Sequence, residues 1–387
     1  MRVLFTNAGS AGHFGPLIPF ARAVLDAGGD VLVATKASMA GMVEAAGFEV
    51  WPLAEASPAD RGPVFGRAFQ LDHDAANELV AREVFGRLDT TATLPGVLEA
   101  CAMWRPDVVV HEPAELAAVL AAEHLGIPRA RVGIVLGATE ERFRRATARG
   151  VTTLREELGL VPDPDGEAIA AAPYLTLAPR ALEDPAAPGP ANALRFREEV
   201  PAANELPDWW PGDDAPLVYV TFGSVAAAMG FYPAVYRAAV DALAGLDVRI
   251  LLTTGRAGDP AELGALPANV HVERWVPQAD VMPQAAAMVV HGGFGTVRAA
   301  LCAGLPLAVA PLFADQPYNA RRVAAMGAGI ALEGGPSALA GLGRAVRTVL
   351  DDPSYAAAAA AVAADAATLP PVSDAVAALS ALAAAPA

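Results

Sequence analysis

The chain predicts an α/β protein built from two doubly wound, Rossmann-like domains with parallel sheets. Short apolar runs end in glycine-rich turns, helical spacing follows each turn, and both halves of the 387 residues repeat this order. That length supports two domains with separate cores. Residues 2–6 (RVLFT) read as the first strand. The turn Gly9 to Pro16 follows, then an apolar-spaced helix from Leu17 to Ala27, which Gly28 and Gly29 end. A second strand over 30–35 completes a βαβ unit, and Asp107–Val110 and Pro128–Val135 read as later strands. Residues 55–100, richer in aromatics and charges, read as helices and loops lining a cleft.

Eight prolines (Pro179, Pro185, Pro188, Pro190, Pro201, Pro207, Pro211 and Pro216) mark the linker region. A second series follows: strand Leu217–Phe222, helix Pro233–Ala244, strands Val248–Thr253 and Val270–Trp275, and the apolar run Ala285–Val290. A glycine turn, a helical pattern over Val297–Ala303 and another apolar run, Leu305–Ala310, continue it. Asp352-Pro353 caps an alanine-rich helix, Pro370-Pro371 break it, and Ser373 starts another. The expected boundaries are 1–200, a linker over 201–215, 216–366, and a C-terminal helix over 367–387 that packs back toward the first domain. Ligands of open parallel sheets sit outside the carboxyl ends of the strands, so the two domains are expected to face an interdomain cleft that holds one.

A chain that is 54% hydrophobic and 18% charged is globular rather than disordered. Its formal net charge of -16 argues against nucleic acid and anionic membrane as partners. No apolar run is long enough to span a bilayer, and the start MRVLFTNAGS lacks a cleavable signal pattern. Together with Cys101 and Cys302, read as buried thiols in a reducing compartment, this gives a cytoplasmic expectation.

The most informative motif is His291-Gly292-Gly293-Phe294-Gly295-Thr296, between a strand and a helix. Glycines let the backbone approach a ligand, and the helix start offers free N–H groups and a positive dipole end. A phosphate is the natural occupant, with His291 and Thr296 as extra donors; a tight strand–helix connection is the bland alternative. There is no Lys or Arg cluster beside Gly293, so such an anion would rest on backbone dipoles and neutral donors.

Residues 9–16 superficially resemble a dinucleotide fingerprint, but the spacing is wrong and His13 occupies the turn. His13 reads either as a base held at a helix start or as a residue that packs or caps the turn. Glu112, after a strand and beside His111, reads either as an acceptor for His13 or as a solvated loop charge. Trp275, in Trp275-Val276-Pro277-Gln278, offers a stacking face for a base, with a core Trp as the alternative, and Gln278 offers paired donors and acceptors. Asp315-Gln316 suits sugar hydroxyls, with helix capping by Asp315 as the alternative. Asp72-His73-Asp74 has the look of a metal triplet but follows no strand, so a solvated helix start is preferred and no metal is expected.

These motifs resemble the family 1 glycosyltransferases with the GT-B fold, and among them the actinobacterial enzymes that decorate antibiotics and other natural products with deoxysugars. The resemblance runs through essentially the whole chain. It is strongest from Thr221 to Ala324, where Thr221-Phe222-Gly223-Ser224, Trp275 to Gln278, His291 to Thr296 and Asp315-Gln316 occur in the family's order. It implies an N-terminal acceptor-binding and a C-terminal nucleotide-sugar-binding domain. It also implies an inverting transfer in which His13, with Glu112 as acidic partner, deprotonates an acceptor hydroxyl. Ser224, His291, the amides at Gly293 and Gly295, and Thr296 would hold the leaving diphosphate; Trp275, Val276 and Gln278 the base; Asp315 and Gln316 the sugar. Phe14, Phe65, Phe69 and His111 are candidates for the acceptor side.

Two departures from the family pattern matter. The acid beside the histidine is usually Asp. In relatives that use uridine diphosphate sugars a Glu stands eight residues after the phosphate His, where this chain has Ala299. The missing ribose acceptor favours a dTDP-sugar over a UDP-sugar as co-substrate, with no other cofactor. The partners expected are this donor and a small hydrophobic aglycone, with a homodimer and an activator protein left open. A GT-B nucleotide-sugar epimerase and a non-catalytic GT-B helper are the competing readings.

Overall fold

The computed structural model describes residues 1–200, 202–212 and 214–384, which form two compact units. The first holds residues 1–178, 183–198 and the C-terminal segment from 369; the second holds 179–182 and 199–368. Pro201 and Asp213 of the expected linker, and 385–387 of the expected terminal helix, lie outside the described residues.

The first unit is a seven-stranded sheet of order β3-β2-β1-β4-β5-β6-β7, parallel throughout. The strands are β1 (Arg2–Thr6), β2 (Asp30–Lys36), β3 (Glu49–Leu53), β4 (Val108–His111), β5 (Arg129–Val132), β6 (Tyr174–Thr176) and β7 (Ala193–Arg195). The central strands are apolar runs, as a sheet covered on both faces requires. Val3, Phe5, Val108 and Val110 face a core shared with α1 (Ile18–Asp26). Leu4 and Val109 face the opposite core, beneath α4 (Thr90–Trp104) and α5 (Leu116–Leu125). Between β3 and β4 run α2 (Pro58–Ala68), α3 (His73–Val80), a π-helical stretch Ala81–Asp89, and α4. Asp72 caps α3 by accepting from the Ala75 N–H at 2.9 Å, the helix start expected of that triplet. After β5 comes α6 (Gly137–Gly150). Val372, Ala375 and Leu379 of the C-terminal segment lie in the same core as α1.

The second unit is a six-stranded sheet of order β10-β9-β8-β11-β12-β13, also parallel. Its strands are β8 (Leu217–Thr221), β9 (Arg249–Thr253), β10 (Val270–Glu273), β11 (Ala285–Val290), β12 (Leu307–Val309) and β13 (Gly329–Ala331). Two helices position its candidate site: α7 (Phe294–Cys302) after β11 and α8 (Gln316–Ala325) after β12.

The proline-rich stretch is less free than its composition predicts. The backbone N–H and side-chain amide of Asn204 bond the buried Asp280 at 2.8 and 3.1 Å, and Trp209 stacks on His271 with centroids 4.5 Å apart. Prolines block regular pairing but do not prevent side-chain anchoring. The edge strands β3, β7 and β13, and β6 beside β7, carry too little periodicity to stand out in the sequence, and β5 is half as long as the run Pro128–Val135 suggests.

Candidate active site

In the first unit β1 delivers the chain to a turn in which Ser10 caps a short helical segment, Ala11–Phe14. Gly9 is needed here: its φ is +83°, and a Cβ would sit 2.8 Å from the Lys36 side chain. His13 emerges from this turn 23% exposed, with Nδ1 at 3.0 Å from Oε1 of a fully buried Glu112. Glu112 is therefore not a solvated loop charge. Its Oε1 also accepts the Ala8 N–H at 2.8 Å and its Oε2 the Ala114 N–H at 2.7 Å. A buried carboxylate needs such donors, and three of them fix its position. The Nδ1–H of His13 donated to Glu112 places the ring's lone pair on Nε2, so the pair can work as an oriented base.

Two acceptor candidates are corrected. Phe14 is 1% exposed and packs edge-to-face on Phe48 in the core, because the helical turn points it inward, away from the face that carries His13. His111 is fully buried, and its Nδ1 lies 3.1 Å from the Glu112 carbonyl. Burial, with Arg129 nearby, pushes its imidazole down to about 3, so it is a neutral packing residue beneath the dyad. Phe65 and Phe69, on α2 and at its end, are 39% and 86% exposed. The aromatic ring beside His13 is Phe85, 5.7 Å away between centroids, and Phe143 lies 5.6 Å beyond it.

In the second unit the predicted donor residues gather at the carboxyl ends of β8, β10, β11 and β12. Gly293 starts α7, with Gly295 exposed and Thr296 half-buried in its first turn. The imidazole of His291 lies between two glycines. A Cβ on Gly223 would sit 2.6 Å from its Cε1, and one on Gly293 would sit 2.5 Å from its Nε2. Burial pushes this ring down to about 4, opposed by the Thr221 carbonyl, so at neutral pH it is a neutral donor of one N–H. Ser224 is exposed just after Gly223.

Trp275 is 58% exposed, which rules out a core role, with the Arg256 guanidinium 6.0 Å from its ring centre. Val276 is half-buried beside it. Gln278 opens a short helix, Gln278–Val281, and reaches the buried Tyr219 hydroxyl, which also bonds Thr253 at 3.0 Å.

Asp315 follows Ala314, whose left-handed φ of 54° turns the chain sharply after β12. Gln316 is 3% exposed, and its Oε1 accepts the N–H groups of Leu312 and Phe313 at 2.8 and 3.0 Å. That carbonyl braces the turn rather than reading a ligand. Asn319 went unassigned in the sequence. Buried, it donates to the Gly292 carbonyl at 2.8 Å and to Asp315 at 2.7 Å, tying the glycine turn after β11 to the Asp315 turn. Its spacing four residues after Asp315 on a helix was the available signal.

Among the described residues no group of three or more His, Cys, Asp and Glu is placed to hold a metal, and no helix is long and apolar enough to cross a membrane.

Comparison with known proteins adds the chain's relatives. Residues 22–159 match the family model of the Erythromycin biosynthesis protein CIII-like N-terminal domain, and residues 237–382 match that of its C-terminal domain. The Elloramycin glycosyltransferase ElmGT of Streptomyces olivaceus is 31% identical over 350 residues, covering 85% of each chain. The L-demethylnoviosyl transferase of Streptomyces niveus is 31% identical over 360 residues, covering 91% of this chain and 90% of its own. Among solved structures, the Streptomyces sp. SF2575 glycosyltransferase SsfS6 complexed with thymidine diphosphate matches with a TM-score of 0.78 and 27% identity, over 98% of this chain and 99% of that one.

Proposed function

Because the chain belongs to the family 1 glycosyltransferases of antibiotic and natural-product biosynthesis, with their GT-B fold, we propose that it transfers a deoxysugar, with inversion, from a dTDP-sugar to a hydroxyl of a hydrophobic aglycone. The observation that carries the mechanism is the His13–Glu112 pair, 3.0 Å apart, with the carboxylate locked by two backbone N–H groups. Nε2 of His13 takes the proton of the acceptor hydroxyl, and Glu112 stabilises the imidazolium that forms. The acceptor oxygen attacks the anomeric carbon as its bond to the diphosphate breaks, so the configuration inverts. The departing charge falls on the amides at the start of α7 and the hydroxyls of Thr296 and Ser224, with the neutral His291 beside them. Trp275 supplies a face for the base, and Asp315 faces the sugar.

Support for thymidine over uridine comes from Ala299, half-buried on α7 eight residues after His291. A methyl group cannot accept a hydrogen bond, so a ribose 2′-hydroxyl gains nothing there, whereas 2′-deoxyribose loses nothing. The SsfS6 structure holds thymidine diphosphate, which agrees with this reading. Calorimetry tests it: dTDP is expected to bind about tenfold more tightly than UDP, a difference of about 1.4 kcal/mol. Equal affinities would refute the donor assignment and leave the transfer chemistry standing.

A further inference from the structure

We propose that Phe85 and Phe143 form a preset wall of the acceptor site that selects an aglycone whose reacting hydroxyl sits on, or next to, an aromatic ring. This deepens the proposed transferase reading and rests on His13 being the base. The wall begins at the base itself. The Phe85 ring lies 5.7 Å from the His13 ring at a tilt of 34°, and the Phe143 ring lies 5.6 Å from Phe85 at 55°. Both phenylalanines are half-buried, and the neighbouring His13 is partly exposed. A hydroxyl within hydrogen-bond reach of His13 Nε2 brings the carbon skeleton that carries it against Phe85.

The two rings are clamped in place from both sides. Phe85 lies in the π-helical stretch Ala81–Asp89, a distortion that recurs at functional sites. Next to it, Gly86 meets Gly150 of α6 almost backbone to backbone. A Cβ on Gly86 would sit 2.9 Å from the Thr147 carbonyl, and one on Gly150 would sit 2.2 Å from the Arg82 carbonyl. At the end of the π-helical stretch the buried Asp89 pairs with Lys36 at 2.7 Å and with Arg61 at 3.0 Å. On α6, Glu140 pairs with the buried Arg131 at 2.8 Å, and the Gly137 N–H donates to Glu183 at 2.8 Å.

A wall of Leu or Met would remodel around any apolar acceptor. Two tilted rings held by a glycine crossing and buried ion pairs do not remodel. They present fixed edges and faces that another aromatic ring extends in the same edge-to-face manner, a contact worth more than its buried area.

The test uses two polycyclic probes: emodin, whose hydroxyls are on aromatic rings, and digitoxigenin, whose hydroxyls are on saturated rings. Binding of each to the full chain saturated with TDP is measured by calorimetry for wild type, Phe85→Leu, Phe143→Leu and Phe85→Tyr. Wild type is expected to prefer emodin by about tenfold, each Leu variant to lose about that factor for emodin alone, and Phe85→Tyr to retain it. TDP affinity, titrated separately into each protein before saturation, is expected to stay constant in all four proteins and reports the donor half independently. The proposal is overturned if wild type binds emodin no more tightly than digitoxigenin. It is equally overturned if both Leu variants keep wild-type emodin affinity, or if they weaken both probes alike.

Discussion

The side chains that matter most are held by atoms that leave them no alternative, and single substitutions expose this. Gly293 has φ -60° and ψ 135°, a conformation open to any residue, yet a Cβ there would stand 2.5 Å from Nε2 of His291. Gly293→Ala therefore acts through the imidazole and not through the backbone. It is expected to weaken TDP binding about tenfold in wild type, but less than about twofold once His291 is already Ala, because the two residues share one contact. Calorimetry on the four proteins measures the coupling, and equal losses in both backgrounds would show that Gly293 acts on its own.

Glu115 gives the pH prediction. It is 2% exposed, and its carboxylate accepts the Ala118 N–H at 2.9 Å and the Thr93 hydroxyl at 3.1 Å, with no cation paired to it among the described residues. Burial, opposed by the Ala118 N–H and reinforced by the charge of Glu112, pushes this group from 4.5 up to about 7. Between those two values the folded chain holds a proton that the unfolded chain has lost. The stability it contributes is whole below 4.5 and drains away as pH rises to 7. Glu115→Gln has no such loss and should outlast wild type by on the order of 1–3 kcal/mol at pH 8 but not at pH 4. Thermal unfolding at the two pH values is the check, and a difference independent of pH would contradict it.

Among the elements, the crossing of the π-helical stretch with α6 places the ring beside the base. Ala is normally favoured over Gly inside a helix by about 1 kcal/mol. Gly150→Ala is nevertheless expected to cost about 1–3 kcal/mol, because the new methyl meets the Arg82 carbonyl and overpacks the crossing. Urea denaturation reads this, and an unchanged or raised midpoint would mean that the crossing is looser than described.

What the sequence disclosed divides along the same line. The strands β1, β2, β4, β8, β9 and β11, their glycine turns, and His13 and His291 at strand ends were legible because each is a local pattern of period, turn residue and spacing. Glu112 could be placed but not decided between solvent and dyad, since that depends on the N–H groups of Ala8 and Ala114 arriving from two different turns. Phe14 is adjacent to His13 in sequence, but one step along a helical turn rotates a side chain away from its neighbour's direction. The Phe85–Phe143 contact joins residues from two helices and left no local trace. The bracing roles of Gln316 and Asn319 likewise rest on tertiary contacts.

At the scale of the whole molecule, a chain of net charge -16 carries, in one unit, the glycine turn with the neutral His291 to which the proposed function assigns the leaving diphosphate. It carries the His13–Glu112 pair, the proposed base, in the other unit. The central claim is that His13 drives an inverting transfer. The most direct test is proton NMR of the glycoside formed from dTDP-α-D-glucose and an aromatic acceptor, with wild type and His13→Ala run side by side. A β-linked product is expected from wild type. Formation of that product is expected to fall about 10²- to 10⁴-fold in His13→Ala while TDP affinity is unchanged. An α-linked product, or a His13→Ala variant that works at the wild-type rate, would contradict the claim.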